Sequence, residues 1–253
     1  MERLNVKTLL IELTRNCNLE CRHCFRGDSQ NVYMNPEIID YIFKHVCRVN
    51  SFLLTGGEPF LAKEQLERVC YNISKDVMNI GNLIIVTNGT ILSDDIIKML
   101  LKINEKTDLE IRLSNDIFHN IELQKKGLEE IRDKNVELMK LFFNVYEPND
   151  KIYVIDKIGR AKNLTNEDLD EINKLNTKTK YVFSNNRVLL EYRKIYPLPK
   201  LVEDNVIEGT LNIDVYGNIT PTYYSYENED KNSYSKIKRN KSLKRVIKEV
   251  KTI

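Results

Sequence analysis

Three cysteines, Cys17, Cys21 and Cys24, stand in a Cys-x-x-x-Cys-x-x-Cys spacing, and Cys47 and Cys70 complete the chain's five. An odd number, clustered in this way and absent after position 70, is a poor disulfide framework and a good metal site. Three thiolates suit an iron–sulfur cluster, because sulfur is the soft ligand that such iron takes. A [4Fe–4S] cluster has four irons, so three cysteines leave one open, and an open coordination position marks a reactive centre. Zinc is the structural alternative, closed by His23 or a distant His, although zinc motifs usually come as two pairs or with a Cys/His partner at a set spacing.

The elements that must position this loop follow from pattern. Residues 6–13 read as a buried strand, and the cysteine loop follows at once. Asn35-Pro36-Glu37 is a helix start, with Asn as cap and Pro at the first helical position, and Ile38, Ile39, Ile42, Phe43 and Val46 share one face. Residues 51–55 make a second strand, broken by Gly56-Gly57; a helix with Leu66, Val69, Cys70 and Ile73 on its face leads to a third strand at 83–87. Asn88-Gly89 stops that strand, Ser93 caps the next helix, and residues 109–113 form a fourth strand. Strands alternating with helices imply a parallel sheet with helices outside it. Cys47 and Cys70 sit on or beside apolar helix stripes and read as core residues.

Residues 117–134 look helical, and 138–145 either extend that helix through about Phe142 or form a fifth strand. Tyr153–Ile158 reads as a strand. A parallel crossover needs a dozen or more residues, and that favours the continuous helix. Beyond it come a helix over Thr165–Leu175, a strand near Tyr181–Phe183, a hairpin over 210–220 turning at Tyr216-Gly217-Asn218, and a final helix carrying Leu243, Val246, Ile247 and Val250.

The segment Cys17–Cys24, CNLECRHC, resembles the CxxxCxΦC signature of radical S-adenosylmethionine (SAM) enzymes, in which Φ is usually aromatic and packs near the adenine; His23 holds that position here. Further motifs sit at the ends of the expected strands. Gly56-Gly57-Glu58-Pro59 resembles the GGEP motif that binds the methionine amino group, with Glu58 as acceptor for the ammonium. Thr87-Asn88-Gly89-Thr90 is similar to the family's TNGT turn on the floor of the site. Ser114-Asn115-Asp116-Ile117-Phe118-His119 resembles an S-x-D-x-F-H segment whose serine contacts the SAM ribose or carboxylate. Gly159-Arg160-Ala161 is similar to the GRA motif that passes the adenine.

The resemblance spans residues 6–165 and implies an α/β fold, an abbreviated, partial (β/α)6-type barrel with a small C-terminal α+β extension. It divides the chain into a core over 1–165 and, over 166–253, the completion of that core plus the extension. It implies a [4Fe–4S] cluster on Cys17, Cys21 and Cys24 whose open iron takes the amino and carboxylate groups of SAM. Reductive cleavage then yields a 5′-deoxyadenosyl radical that abstracts hydrogen from a substrate, with the electron coming from a flavodoxin- or ferredoxin-type donor. His23, Gly56, Gly57, Glu58, Asn88, Ser114, Gly159 and Ala161 are the SAM contacts it implies. Asp116 and His119 read as supporting residues, and Arg160 as facing an anion or solvent.

The pattern breaks near the C-terminus. NIDVYGNITPTYYSYEN resembles the start of the SPASM or twitch extension, where Pro-Cys begins a set of cluster ligands, yet Pro221 is followed by Thr222, Tyr223 and Tyr224. The extension is expected to keep a shortened shape without clusters and to fold over the open side of the barrel as a lid or substrate platform. The resemblance favours a ribosomally made peptide as substrate; a small metabolite or nucleoside is the second reading. RNA is a third, from the Lys236–Lys251 stretch, where eight Lys or Arg meet only Glu249. A non-enzymatic iron–sulfur scaffold is the fourth. A net charge of +2 does not demand nucleic acid. No apolar run long enough for a transmembrane helix occurs, and the N-terminus lacks the features of a signal peptide, so the expected location is the cytoplasm.

Overall fold

A computed structural model describes residues 3–184, 199–221, 226, 235–237 and 241–248. At its centre lies β1 (Leu4–Thr14), whose Leu9, Ile11 and Leu13 are wholly buried. Parallel strands extend from it in one direction: β2 (Val46–Gly56), β3 (Asn79–Thr87), β4 (Asp108–Leu113) and the short β5 (Asn144–Tyr146). Helices α1 (Pro36–His45), α2 (Lys63–Ser74) and α3 (Asp94–Asn104) make the first three crossovers. The first and third start at a side-chain oxygen that caps them, whereas α2 starts at Ala62 without one. Asn35 accepts from the Glu37 N–H at 2.9 Å and Ser93 from the Ile96 N–H at 3.4 Å.

Val46 is not the last apolar residue of α1; it opens β2, which starts five positions earlier than its apolar run. The pairs Leu4↔Val46 and Val6↔Val49 explain why, since β-branched side chains packed against β1 outweigh continuation of the helix. The stretch expected as one helix is two, α4 (Ile117–Lys126) and α5 (Glu129–Phe142). Gly127 divides them. Its φ of 64° lies in the left-handed region, and it and Leu128 donate to Gln124 and Leu123, as in a Schellman ending. Helix does run to Phe142, as expected, and β5 follows.

The crossover objection falls because β5 and the next strand lie in different sheets. β6 (Ile152–Ile155) pairs in parallel with β7 (Lys180–Phe183) in a two-stranded sheet, joined through a 3-10 turn over Gly159–Asn163 and α6 (Asn166–Leu175). Ile155, Ala161, Leu169, Ile172 and Tyr181 form their own apolar cluster with Phe118 of α4. The result is an α/β partial barrel, an arc of parallel strands interrupted between β5 and β6.

The described strands of the C-terminal part belong to the main sheet. β9 (Val206–Ile213) pairs in parallel with β1 on the side opposite β2, so the main sheet runs through it. β8 (Lys200–Glu203) and β10 (Asn218–Thr220) flank β9 antiparallel, and β11 (Ser235–Lys236) pairs with β10. The expected 210–220 hairpin is thus present. Leu243, Val246 and Ile247 of α7 (Leu243–Lys248) join the main core together with Ile207, Leu211 and Ile213. The physical reason is the apolar demand of β1, which needs a strand on both edges. Tyr223, Tyr224 and Val250 lie outside the described residues. No helix among the described residues is long and apolar enough to cross a membrane.

Candidate active site at the strand ends

The cysteine loop begins where β1 stops. Its two arms are zipped by backbone bonds, Arg15 N–H to Val32, Gln30 N–H to Arg15 and Met34 N–H to Leu13, at 2.9–3.1 Å. Cys17 N–H donates to Ser29 Oγ at 2.8 Å and Cys24 N–H to the Cys21 carbonyl at 3.1 Å. Cys17, Cys21 and Cys24 all line one cavity of about 380 Å³ beyond the carboxy ends of the strands. All five cysteines are free thiols. Leu19 N–H points at Cys17 Sγ, 3.4 Å away. Burial pushes the Cys17 thiol up to about 12, and Glu58, Cys21 and Cys24 add to the rise against that N–H. Crowded thiols of this kind ionise only against strong positive charge, which bound iron supplies, so the donor set fits a cluster.

Gly56 and Gly57 line the same cavity, yet their lack of a Cβ serves the cysteine loop. A Cβ on Gly56 would stand 2.4 Å from the Thr14 carbonyl oxygen, and one on Gly57 2.3 Å from that of Asn16. The closeness lets Gly57 N–H and Glu58 N–H donate to those two carbonyls at 2.8 Å each. Glu58 is not part of the cavity lining. It is fully buried behind it, accepting from the Thr87 hydroxyl at 2.7 Å, the Asn88 N–H at 2.8 Å and the Phe60 N–H at 3.1 Å. Burial pushes its carboxyl up to about 7 against the pull of those three donors. Asn88 does line the cavity, and its side-chain amide donates to Asn18 Oδ1 at 3.0 Å. Asn18 in turn donates to Thr90 Oγ1 at 2.8 Å, so the turn after β3 grips the cysteine loop from below.

Ser114, at the end of β4, and His119, on the first turn of α4, line the cavity as well. Asp116 caps α4 through Oδ1, while its Oδ2 lies 2.6 Å from His119 Nδ1 and 3.1 Å from His23 Nε2. Both separations are hydrogen-bond distances. Burial opposes ionisation of Asp116, but the two imidazoles outweigh it and hold the carboxyl well below its usual range. Burial likewise disfavours the His119 cation, yet Asp116, with help from Cys21, holds its pKa well above the ordinary value. His23 stacks on Phe118 with ring centroids 4.6 Å apart and meets the Tyr153 edge at 5.8 Å.

Gly159 and Ala161 lie outside the lining, the latter wholly buried. Gly159, with φ 56°, is pressed against the loop: a Cβ there would stand 2.4 Å from the Phe25 carbonyl oxygen. Arg160 lines the cavity, but it neither faces solvent freely nor waits for an anion. Its backbone N–H donates to Cys24 O at 2.9 Å and its Nε to Cys21 O at 3.0 Å, bracing the two later cysteines.

A group of buried charges went unread in the sequence. Glu12 accepts from the Tyr226 hydroxyl at 3.0 Å and stands 3.4 Å from Arg15 Nε and 3.7 Å from Arg26 Nε. Arg15 reaches Asp214 at 3.6 Å, and its guanidinium lies 4.3 and 4.8 Å from the Tyr226 and Tyr216 ring centroids. Arg15, Arg26 and Tyr226 line the cavity. The available signal was a glutamate within the apolar run of β1, followed three residues later by an arginine.

The curated relatives include the probable GTP 3′,8-cyclase of Methanococcus aeolicus, 30% identical over 153 residues, which covers 55% of this chain and 50% of that protein. The chain spans about half the length of the curated relatives it matches. Among solved structures, native anSMEcpe with bound AdoMet and Cp18Cys peptide superposes with a TM-score of 0.57 at 17% identity, over 96% of this chain and 80% of that one. Streptococcus suis SuiB bound to precursor peptide SuiA does so with a TM-score of 0.55 at 15% identity, over 96% and 64%. At these identities the likeness is one of fold. The Radical SAM superfamily matches residues 11–145, just over half of the chain and the span that carries the cysteine loop. By that match the chain belongs to the radical SAM superfamily, whose cofactors are SAM and a [4Fe–4S] cluster.

Proposed function

We propose that Cys17, Cys21 and Cys24 hold the cluster, that SAM lies in the cavity they share, and that the substrate is a ribosomally made peptide. The observation that carries the first part is the convergence of three thiols from one braced loop on a single cavity. When bound, the cluster supplies one electron to SAM, delivered to it by a flavodoxin- or ferredoxin-type donor. The chain's own residues position and shield. The His23–Phe118 stack and Tyr153 offer an aromatic bed for the adenine. Ser114 and Asn88 offer polar contacts to the rest of SAM. Since Glu58 is fully buried outside the cavity lining, the methionine ammonium falls to the Gly56–Gly57 backbone. Gly159 acts behind the adenine side by holding the cysteine loop in place, and Ala161 by packing in the apolar cluster with Phe118. Residues 1–165 form the core, and 166–253 complete it and carry the degenerate extension.

The GTP cyclase relatives favour a second reading, chemistry on a nucleoside triphosphate. Among the described residues three arginines line the cavity, which would suit phosphates. Each is already engaged: Arg15 with Glu12 and Asp214, Arg26 with Glu12, and Arg160 with the Cys21 carbonyl. That engagement supports the peptide, as do the peptide-bound neighbours anSMEcpe and SuiB.

Anaerobic reconstitution should load about four irons and four sulfides per chain, and Cys17→Ala, Cys21→Ala or Cys24→Ala should abolish formation of 5′-deoxyadenosine. Stoichiometric zinc would overturn the cluster assignment. A precursor peptide encoded beside the gene should change mass on incubation with SAM and reductant. Stimulation of SAM cleavage by GTP, with no change in any such peptide, would give the nucleotide reading instead.

A further inference from the structure

His119 lies where α4 meets the cysteine loop. Leu123, one turn further along the helix, packs with Cys21 and Leu19 in a small buried cluster. Side chains four apart share a face of a helix, so His119 stands on the face of α4 turned to Cys21, and both residues line the cavity. One side of its imidazole is held firmly. Nδ1 meets Asp116 Oδ2 at 2.6 Å, and that carboxylate is itself fixed, its Oδ1 accepting from the Phe118 and His119 N–H groups at 2.9 and 3.1 Å. The His23 ring closes against His119 edge-on, with centroids 5.0 Å apart.

Asp116 takes the Nδ1 proton. That leaves Nε2, on the far side of the ring, for the Cys21 side chain, with which His119 shares a hydrogen bond. An imidazole set between a carboxylate and a thiolate carries an N–H donor for each. Donors aimed at the sulfurs of an iron–sulfur centre shift its potential, and the groups that orient them act through them. Reduction adds an electron to the cluster, so a donor on one of its sulfurs stabilises the reduced state more than the oxidised one.

We infer that His119, oriented by Asp116, donates a hydrogen bond through Nε2 to the sulfur of Cys21 and thereby makes the cluster easier to reduce. The inference rests on the reading that Cys17, Cys21 and Cys24 hold that cluster. It is tested on the cluster-loaded protein without SAM, by redox titration with the reduced cluster counted by electron paramagnetic resonance. His119→Leu should lower the reduction equilibrium constant about tenfold, about 59 mV for one electron, at unchanged iron content. His119→Gln, whose neutral amide still donates, should recover part of that loss. With isotopically labelled histidine, pulsed resonance of the reduced cluster should show a histidine nitrogen coupling that both variants lose. An unaltered potential in His119→Leu would overturn the inference. So would His119→Gln matching His119→Leu, since the field of a cation rather than a bond to sulfur would then be responsible. Should His119→Leu load no iron, the nitrogen coupling decides, and its persistence in His119→Gln overturns the assignment. If the unaltered protein itself loads no iron, the cluster reading fails first and this inference falls with it.

Discussion

Glu58 offers the sharpest test of how the site is built. A carboxyl whose pKa rises from 4.5 unfolded to about 7 folded keeps its proton in the native state over a range where the unfolded chain has lost it. Stability from this group is therefore fully present below pH 4.5 and is lost as pH rises through 7. At about 1.4 kcal/mol per pH unit, the whole change is about 3 kcal/mol. Glu58→Gln removes the ionisation but places an amide NH₂ where the Asn88 or Phe60 N–H now donates, at a pH-independent cost of about 1–3 kcal/mol. Both proteins would be unfolded with urea, cluster-free and reduced, from pH 4.5 to 8.5. Contributions from His45 and Asp116 are common to both and cancel in the difference. The unaltered protein should lose about 3 kcal/mol relative to the variant across that range. A difference that stays flat would mean the three donors outweigh burial and Glu58 is ionised throughout, which refutes the reasoning.

Two further outcomes follow from the packing. Gly57→Ala should spare the fold but push the cysteine loop away, because its Cβ would meet Asn16 O at 2.3 Å and Cys17 Cβ at 2.9 Å; overpacking of this sort costs about 1–3 kcal/mol, and iron incorporation should fall by more than half. Normal iron content would show that the loop yields freely. Truncation after residue 205 removes β9, whose Ile207, Leu211 and Ile213 are wholly buried. Three such side chains contribute about 5–9 kcal/mol, the scale of a domain's whole stability, so the shortened chain should show no cooperative melt by circular dichroism. A cooperative melt would show that β1 tolerates an open edge.

The sheet's parallel half was legible because its strands are apolar runs ended by turn signals, and α1 and α3 carry side-chain caps while α2 shows an apolar stripe. Where reading failed, the deciding contact was distant. Val46 looks helical from its neighbours alone, and only its pairing with Leu4 places it in β2. The break at Gly127 was visible as a glycine, but a lone glycine is tolerated in many helices. That β5 and β6 belong to different sheets has no local signature. The position of β9 was hidden for the same reason: alternation identifies a strand without naming its partner, and here the partner is β1, some two hundred residues away.

The site divides along the same line. Cysteine spacing is a local property and was readable, whereas the work of Glu58, Gly159 and Arg160 is to hold backbone that is remote in sequence. Glu12 shows the limit most clearly. A carboxylate at 0% exposure inside an apolar strand is unfavourable unless charged and hydroxyl partners reach it. Arg15 and Arg26 come from the cysteine loop, while Tyr226 and, through Arg15, Asp214 come from the far end of the chain. Loss of either side would leave a buried charge without its partner, at a cost of about 3–5 kcal/mol. The charges therefore tie formation of the cysteine loop to arrival of the C-terminal strands, so that the thiols converge only in a chain whose main sheet is already closed.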